Sequence, residues 1–204
     1  FFAAATCGLI LVALTGHWWL LAVGACAVAA AWFYTGGRHP YGYAGLGEIF
    51  VFVFFGIVPV LGTLYVQTDN VTSAAIAAGV GMGAFAAAIL ITNNLRDIPT
   101  DRAAGKKTFA VRLGDRPTRL AYLLLVAIAY LSVPVVAFFT GPWALLGLAS
   151  MPMIISPVRT ILSGSTGRVL VPALVRTGTT VGVYAACLSI GLIFGDVFRD
   201  VFSA

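Results

Sequence analysis

NNLRDIPTDRAAGKKTFAVRLGDR, Asn93 to Arg116, is the one long run in which charge collects in an otherwise apolar chain. It holds three of the seven acids (Asp97, Asp101, Asp115) and six of the twelve Lys/Arg residues (Arg96, Arg102, Lys106, Lys107, Arg112, Arg116). The stretch before it, Ser73 to Thr92, reads SAAIAAGVGMGAFAAAILIT and carries no charge. As a helix rising about 1.5 Å per residue, those twenty residues are long enough to cross a hydrocarbon core about 30 Å thick. The polar cluster therefore sits at a membrane surface.

Asp97 and Asp101 are four apart, which on a helix puts both carboxylates on one face. Two bare like charges at that spacing repel, and a divalent cation is the usual remedy. Magnesium, a hard cation, takes carboxylate oxygens together with substrate phosphate oxygens, and a diphosphate would also draw on the surrounding Arg and Lys. Pro99 interrupts a continuous helix here and suits the first turn of a new short one capped by Asp97. The competing reading is a solvated loop whose acids simply pair with neighbouring Arg and Lys.

The run N-N-x-R-D-x-x-x-D-x-x-x-G-K-x-T-x-A-V-R-L-G closely resembles the second aspartate-rich motif of the UbiA superfamily of intramembrane prenyltransferases. More narrowly, it resembles the branch that prenylates 1,4-dihydroxy-2-naphthoate in menaquinone synthesis. A second block, YTGGRHPYGYAGLGE from Tyr34 to Glu48, followed by the aromatic run to Gly56, resembles the same branch. The resemblance runs through nearly all of residues 1–204 and implies a polyprenyl diphosphate donor, a dihydroxynaphthoate acceptor and magnesium as cofactor. It makes Asp97 and Asp101 the metal ligands. Asn93, Asn94, Arg96, Lys106, Lys107 and Arg38 become contacts to the departing diphosphate, with Arg96 and Lys107 counted among the catalytic groups. Tyr41 and Tyr43 become walls of the pocket. It further implies nine spans, with a first Asn/Asp-rich motif on two helices preceding the present ones. The chain, which begins at Phe1 inside an apolar segment, is accordingly expected to be N-terminally truncated and inactive as it stands.

Composition reaches the fold class independently. Hydrophobic residues make up 60% and charged residues 9%, with a mean hydropathy of +1.00, more apolar surface than a soluble protein can hide. The expectation is an all-α polytopic transmembrane bundle of about seven spans forming one domain over 1–204, embedded in lipid. The spans read Phe1 to Leu14, Trp18 to Tyr34, Glu48 to Val66, Ser73 to Thr92, Thr118 to Phe139, Pro142 to Leu162 and Val169 to Phe194. Pro152 and Pro157 should kink or stagger the sixth. Alternate connections then gather ten of the twelve basic residues on one side, from Arg38 through Arg119 to Arg159 and Arg168, and the positive-inside rule makes that side cytoplasmic. A net charge of +5 thus reflects membrane topology and not nucleic acid.

Other residues read more plainly. Gly79, Gly81 and Gly83 lie in an apolar helix with no preceding strand, so they serve close helix packing and not a nucleotide loop. Cys7, Cys26 and Cys187 have no metal or redox spacing. His17 beside Trp18 and Trp19 is a headgroup-level residue, and Arg176 should snorkel to the near surface. Asp115 and Arg116 read as turn and cap residues. Glu48 either complements the positive end of its helix or binds the acceptor or assists a proton transfer. Most of Phe50, Phe52, Phe54 and Phe55 should pack or meet lipid, although some could line an isoprenoid channel. A UbiA branch with another aromatic acceptor would share the second motif. A polytopic transporter would place ionisable groups near mid-membrane, whereas here they collect at one surface. A membrane phosphatidyltransferase also uses paired acids and magnesium, but its Asp-Gly…Ala-Arg run is not found.

Overall fold

A computed structural model describes residues 2–38 and 40–202, with side chains as far as 197. The apolar run before the charged stretch forms α5 (Ser73–Arg96), started by Thr72, whose Oγ1 accepts the Ala75 N–H at 3.2 Å. Around it lie α1 (Phe2–Thr15), α2 (Leu20–Thr35), a 3-10 turn (Tyr41–Ala44), α3 (Gly47–Phe52), a π-turn (Val53–Ile57) and α4 (Val58–Thr68). After it come α6 (Ile98–Ala103), α7 (Phe109–Leu113), α8 (Asp115–Thr140), a 3-10 segment (Pro142–Ser150), α9 (Met151–Leu162), a 3-10 turn (Gly167–Leu170) and α10 (Val171–Phe202). Five continuous stretches are long and apolar enough to cross a membrane: Gly47–Thr68, Ser73–Ala103, Asp115–Thr140, Pro142–Leu162 and Gly167–Val197. The first two expected spans are apolar helices of 14 and 16 residues, shorter than a full crossing.

Lipid tails are as apolar as leucine, so helices associate in a membrane through close backbone approach and interhelical hydrogen bonds. α5 supplies both. On one face, a Cβ placed on Gly83 would lie 2.5 Å from the Phe52 carbonyl oxygen, and one on Gly56 would lie 2.2 Å from the Gly83 Cα. Gly56 falls within the π-turn, where the helical winding widens by one residue. Hydropathy gave no sign of that turn, because its residues are as apolar as their neighbours. Gly81 is two positions from Gly83 along α5 and so points to the opposite face. There a Cβ would lie 2.3 Å from Ser132 Oγ and 2.5 Å from Tyr184 Oη, two hydroxyls hydrogen-bonded to each other at 3.0 Å. Tyr122 with Thr177 (2.8 Å) and Tyr130 with Ser150 (3.0 Å) add further hydroxyl pairs that tie α8 to the segments following it. Phe85, Tyr130 and Tyr184 meet edge-on at the centre of the core, with centroid separations of 5.0 to 6.0 Å.

The sixth span is staggered, and its first nine residues wind as 3-10 helix before Pro152 enters the first turn of α9. α10 runs on past the expected end at Phe194. Arg176 is exposed and hydrogen-bonds sideways to Ser156 Oγ on α9. Ser156 itself lies about 9 Å before the end of that helix, at about 1.5 Å per residue. Asp115 is not a cap, since Gly114 holds that position. Its carboxylate instead grips Arg119 at 2.6 and 2.7 Å, and the guanidinium donates to the carbonyls of Ile161 and Ser165. Arg119 thereby satisfies a carbonyl in the last turn of α9 that the helix leaves open.

Contacts at the two ends agree with the expected alternation. Lys107 N–H donates to the Tyr43 carbonyl at 2.9 Å, so the loop after α2 and the loop after α6 share one end, and Arg119 brings Ser165 to it. At the other end His17 Nε2 lies 2.7 Å from Asp69 Oδ1, joining the connections after α1 and α4. The glycine contacts predict that Gly56→Ala or Gly83→Ala in the full-length protein costs about 1–3 kcal/mol or more by overpacking. Unfolding in detergent micelles would measure this, and Gly62→Ala, with nothing within 4 Å of its Cβ, should leave stability unchanged.

Candidate active site

The last turn of α5 carries Asn93, Asn94 and Arg96, and the chain then breaks at Asp97 (φ −95°, ψ 5°) before α6. Pro99 lies in the first turn of α6, where a missing N–H costs nothing. The Asp101 N–H donates to the Asp97 carbonyl at 2.8 Å, which sets the two acids one turn apart on the same face as expected. Asp97 occupies the N-cap position, but its side chain makes no capping bond. Both its oxygens are held by Arg96, from Nε at 2.7 Å and Nη2 at 2.6 Å. The fork geometry of a guanidinium outcompetes a single backbone N–H for a carboxylate. Asp101 is buried and paired with Lys106 Nζ at 3.4 Å. Each acid is thus matched by a cation from its own loop. Among the described residues no three His, Cys, Asp or Glu side chains gather as a metal cage. Two carboxylates one turn apart do fit the kind of magnesium site in which substrate phosphate oxygens supply remaining ligands.

The second block closes over the first. Gly105 takes a left-handed φ of 71°, turning the chain so that Lys106 N–H reaches the Asp101 carbonyl at 2.9 Å. Lys106 Nζ also sits 4.7 Å over the Tyr43 ring, a cation–π contact. Lys107 is tied only by its backbone, its carbonyl accepting Arg112 Nε at 3.0 Å, while its side chain is exposed. Gly45, at φ 78°, lets Arg112 pass: a Cβ there would lie 3.2 Å from Arg112 Cδ. Tyr41 donates to the Ala30 carbonyl at 2.7 Å and stacks on Phe50 at 4.0 Å. Burial pushes the Tyr41 phenol above its ordinary range, so it remains a donor. Tyr41, Phe50, Phe54 and Tyr34 wall a groove of about 460 Å³ backed by Ala27 and Ala30. Phe55, though exposed, also lines this groove, whereas Phe52 packs against Gly83. Arg38 is exposed in the bend after α2 and Asn93 is half-buried on α5.

Glu48 is, with Asp101, one of the site's two buried acids. It opens α3, where the helix dipole favours it, and is buried with Oε1 accepting Asn94 Nδ2 at 2.8 Å. Its Oε2 is buried with no partner among the described residues, as is Thr108 Oγ1. Tyr34 was not singled out from the sequence, although it begins the Tyr34 to Glu48 block. Its ring edge lies 3.2 Å from where a Cβ on Gly47 would stand. Removing one bond of the clasp should loosen it. Arg112→Ala in the full-length protein is expected to speed tryptic cleavage at Lys106 and Lys107 about fivefold, the local equivalent of about 1 kcal/mol. Unchanged cleavage would mean that the bond to the Lys107 carbonyl holds nothing.

Comparison with known proteins accords with this arrangement. The pattern of the UbiA prenyltransferase family matches residues 1–168. The chain is 47% identical over 193 residues to a 1,4-dihydroxy-2-naphthoate octaprenyltransferase of Mycobacterium tuberculosis, covering 95% of this chain and 65% of that protein. It is 38% identical over 175 residues to the protein of the same name from Haemophilus influenzae (85% and 57%), and 37% over 177 residues to that of Escherichia coli (83% and 58%). The chain therefore spans less than two thirds of the length of these relatives. It is an integral membrane protein by its helices, and it belongs to the UbiA prenyltransferase family.

Proposed function

We propose that the full-length protein transfers a polyprenyl group from an allylic diphosphate to 1,4-dihydroxy-2-naphthoate, within menaquinone synthesis. The observation that carries this reading is the pair Asp97 and Asp101, set one turn apart at the membrane end of α5 and ringed by cations. Similarity to relatives bearing that substrate in their names supports the choice of acceptor.

Asp97 and Asp101 would hold magnesium jointly with the diphosphate oxygens. A magnesium ion bound there supplies Lewis-acid neutralisation of the leaving diphosphate. Arg96, Lys106, Lys107 and Arg38 add charge-assisted hydrogen bonds to the same group, and Asn93 and Asn94 orient it. For Arg96 and Lys106 this means sharing or exchanging the carboxylates they now grip. Tyr41 and Tyr43 wall the pocket, and Glu48 serves the acceptor. The aromatic groove shields the developing allylic cation from water and stabilises it through ring faces. The ring carbon bearing the acceptor's carboxylate attacks that cation, and loss of the carboxylate gives the prenylated naphthoquinol.

With an allylic polyprenyl diphosphate, dihydroxynaphthoate and magnesium, membranes holding the full-length protein should form prenylated naphthoquinol. Asp97→Asn and Asp101→Asn should each lower turnover by about 10²–10³-fold or more. Turnover of a different aromatic ring instead would move the acceptor, and activity indifferent to both substitutions would remove these acids from the site. The motif loops face the cytoplasm in this reading, on the strength of the basic connections. A cysteine in place of the exposed Arg102 should then be labelled by a membrane-impermeant thiol reagent in inverted vesicles and not in intact cells.

A further inference from the structure

Arg159 and Arg176 share one face of the α9–α10 pair, and neither has an acidic partner there. On α9, Ile155, Arg159 and Leu162 recur at i, i+4 and i+7 and are all exposed. On α10, Pro172, Val175 and Arg176 do the same at i, i+3 and i+4. The bond from Arg176 to Ser156 Oγ lays the two stripes side by side. Arg159 stands three positions beyond Ser156, about one turn nearer the end of α9. A third exposed cation, Arg168, lies in the turn that connects the helices.

Both helices belong to stretches long and apolar enough to cross a membrane. A guanidinium on the lipid side of such a pair is costly without a counter-ion, and one neutral hydroxyl does not supply it. No described carboxylate supplies it either. Asp97 is held by Arg96, Asp101 by Lys106, and both oxygens of Asp115 by Arg119. Glu48 is buried against Asn94, and Asp69 pairs with His17 at the opposite end of the bundle. Asp196 and Asp200 lie twenty or more positions further along α10, about 30 Å away or more. Among the described residues, Arg159, Arg168 and Arg176 accordingly form no ion pair.

We propose that Arg159 and Arg176 bind the phosphate of an anionic phospholipid from the surrounding bilayer, whose acyl chains run along the exposed Ile155 and Val175. Phosphate oxygens accept the guanidinium N–H groups that Ser156 leaves unused, and the planar fork of arginine suits them. Arg176 extends its charge from within the span towards the headgroup, as long basic side chains do. Arg159 and Arg168 attract the same anion from nearer the surface. A soluble phosphate brings no hydrocarbon to cover Ile155 and Val175. It would also have to leave water to reach the level of Ser156, about 9 Å short of the end of α9. The site lies on different helices from Asp97 and Asp101, and it does not depend on which ring the enzyme prenylates.

Native mass spectrometry of the full-length protein in detergent tests this, with dioleoyl phosphatidylglycerol and dioleoyl phosphatidylcholine as probes. The two share a phosphodiester and acyl chains, but the choline cation meets the arginines as a like charge. The wild type should hold phosphatidylglycerol about tenfold more tightly, and Arg159→Gln and Arg176→Gln should each weaken it about fivefold, the effect of one basic side chain beside anionic lipid. Arg176→Lys should restore most of that loss, which separates missing charge from a damaged fold. Arg102→Gln removes the same charge from an exposed position on α6 and should leave the preference intact. Equal wild-type affinity for the two lipids, or an equal loss in Arg102→Gln, would overturn the proposal. Displacement of the lipid by excess glycerol 3-phosphate would make this a site for soluble phosphate and overturn its assignment to the bilayer.

Discussion

Everything at the charged end depends on one contact made of backbone alone, Gly56 of the π-turn against Gly83 of α5. Water does not drive helices together inside a membrane, so surfaces that fit without intervening side chains must do so. With Gly56 seated on Gly83 and the Phe52 carbonyl over the same glycine, the helix beginning at Gly47 is fixed in height and rotation against α5. Glu48 then comes level with Asn94, and their hydrogen bond joins two segments 46 residues apart in sequence.

The charged loops are built on that frame by electrostatics. Two acids one turn apart would repel, and the local solution is a cation for each, Arg96 beside Asp97 and Lys106 beside Asp101. Both pairs are partly exposed, so water and salt screen them and each is worth little to stability. What they do is hold acids and bases in one small volume near a membrane surface. The backbone bond from Lys107 to the Tyr43 carbonyl and the passage of Arg112 beside Gly45 keep that volume closed on one side. At the far side Arg119 performs a separate structural role, bound to Asp115 and finishing α9.

Much of this was legible beforehand. Hydropathy located five stretches long enough to cross a membrane and two shorter apolar helices among the described residues, because uncharged runs of such length have few alternatives. The alternation of connections with and without Lys or Arg agrees with the ends at which those connections meet. Alternating glycines in an apolar helix announced close packing, and Pro99 announced the break at Asp97. Local chemistry misled where it offered two partners: Asp97 and Asp115 stand where capping acids stand, but each faces an arginine whose two-pronged bond is stronger. The sideways reach of Arg176 to Ser156 depends on which helix lies beside α10, which no spacing records.

The sequence by itself determined the order of the apolar helices, the clustering of charge in the stretch after α5, and the shared face of Asp97 and Asp101. All of these follow from composition and period along one stretch of chain. Only the tertiary structure decided the π-turn, the clasp between the two loops, and the burial of Glu48 with its bond to Asn94. Each of these is a contact between residues distant in sequence, and its geometry is set by the glycine-thin approach of one helix to another.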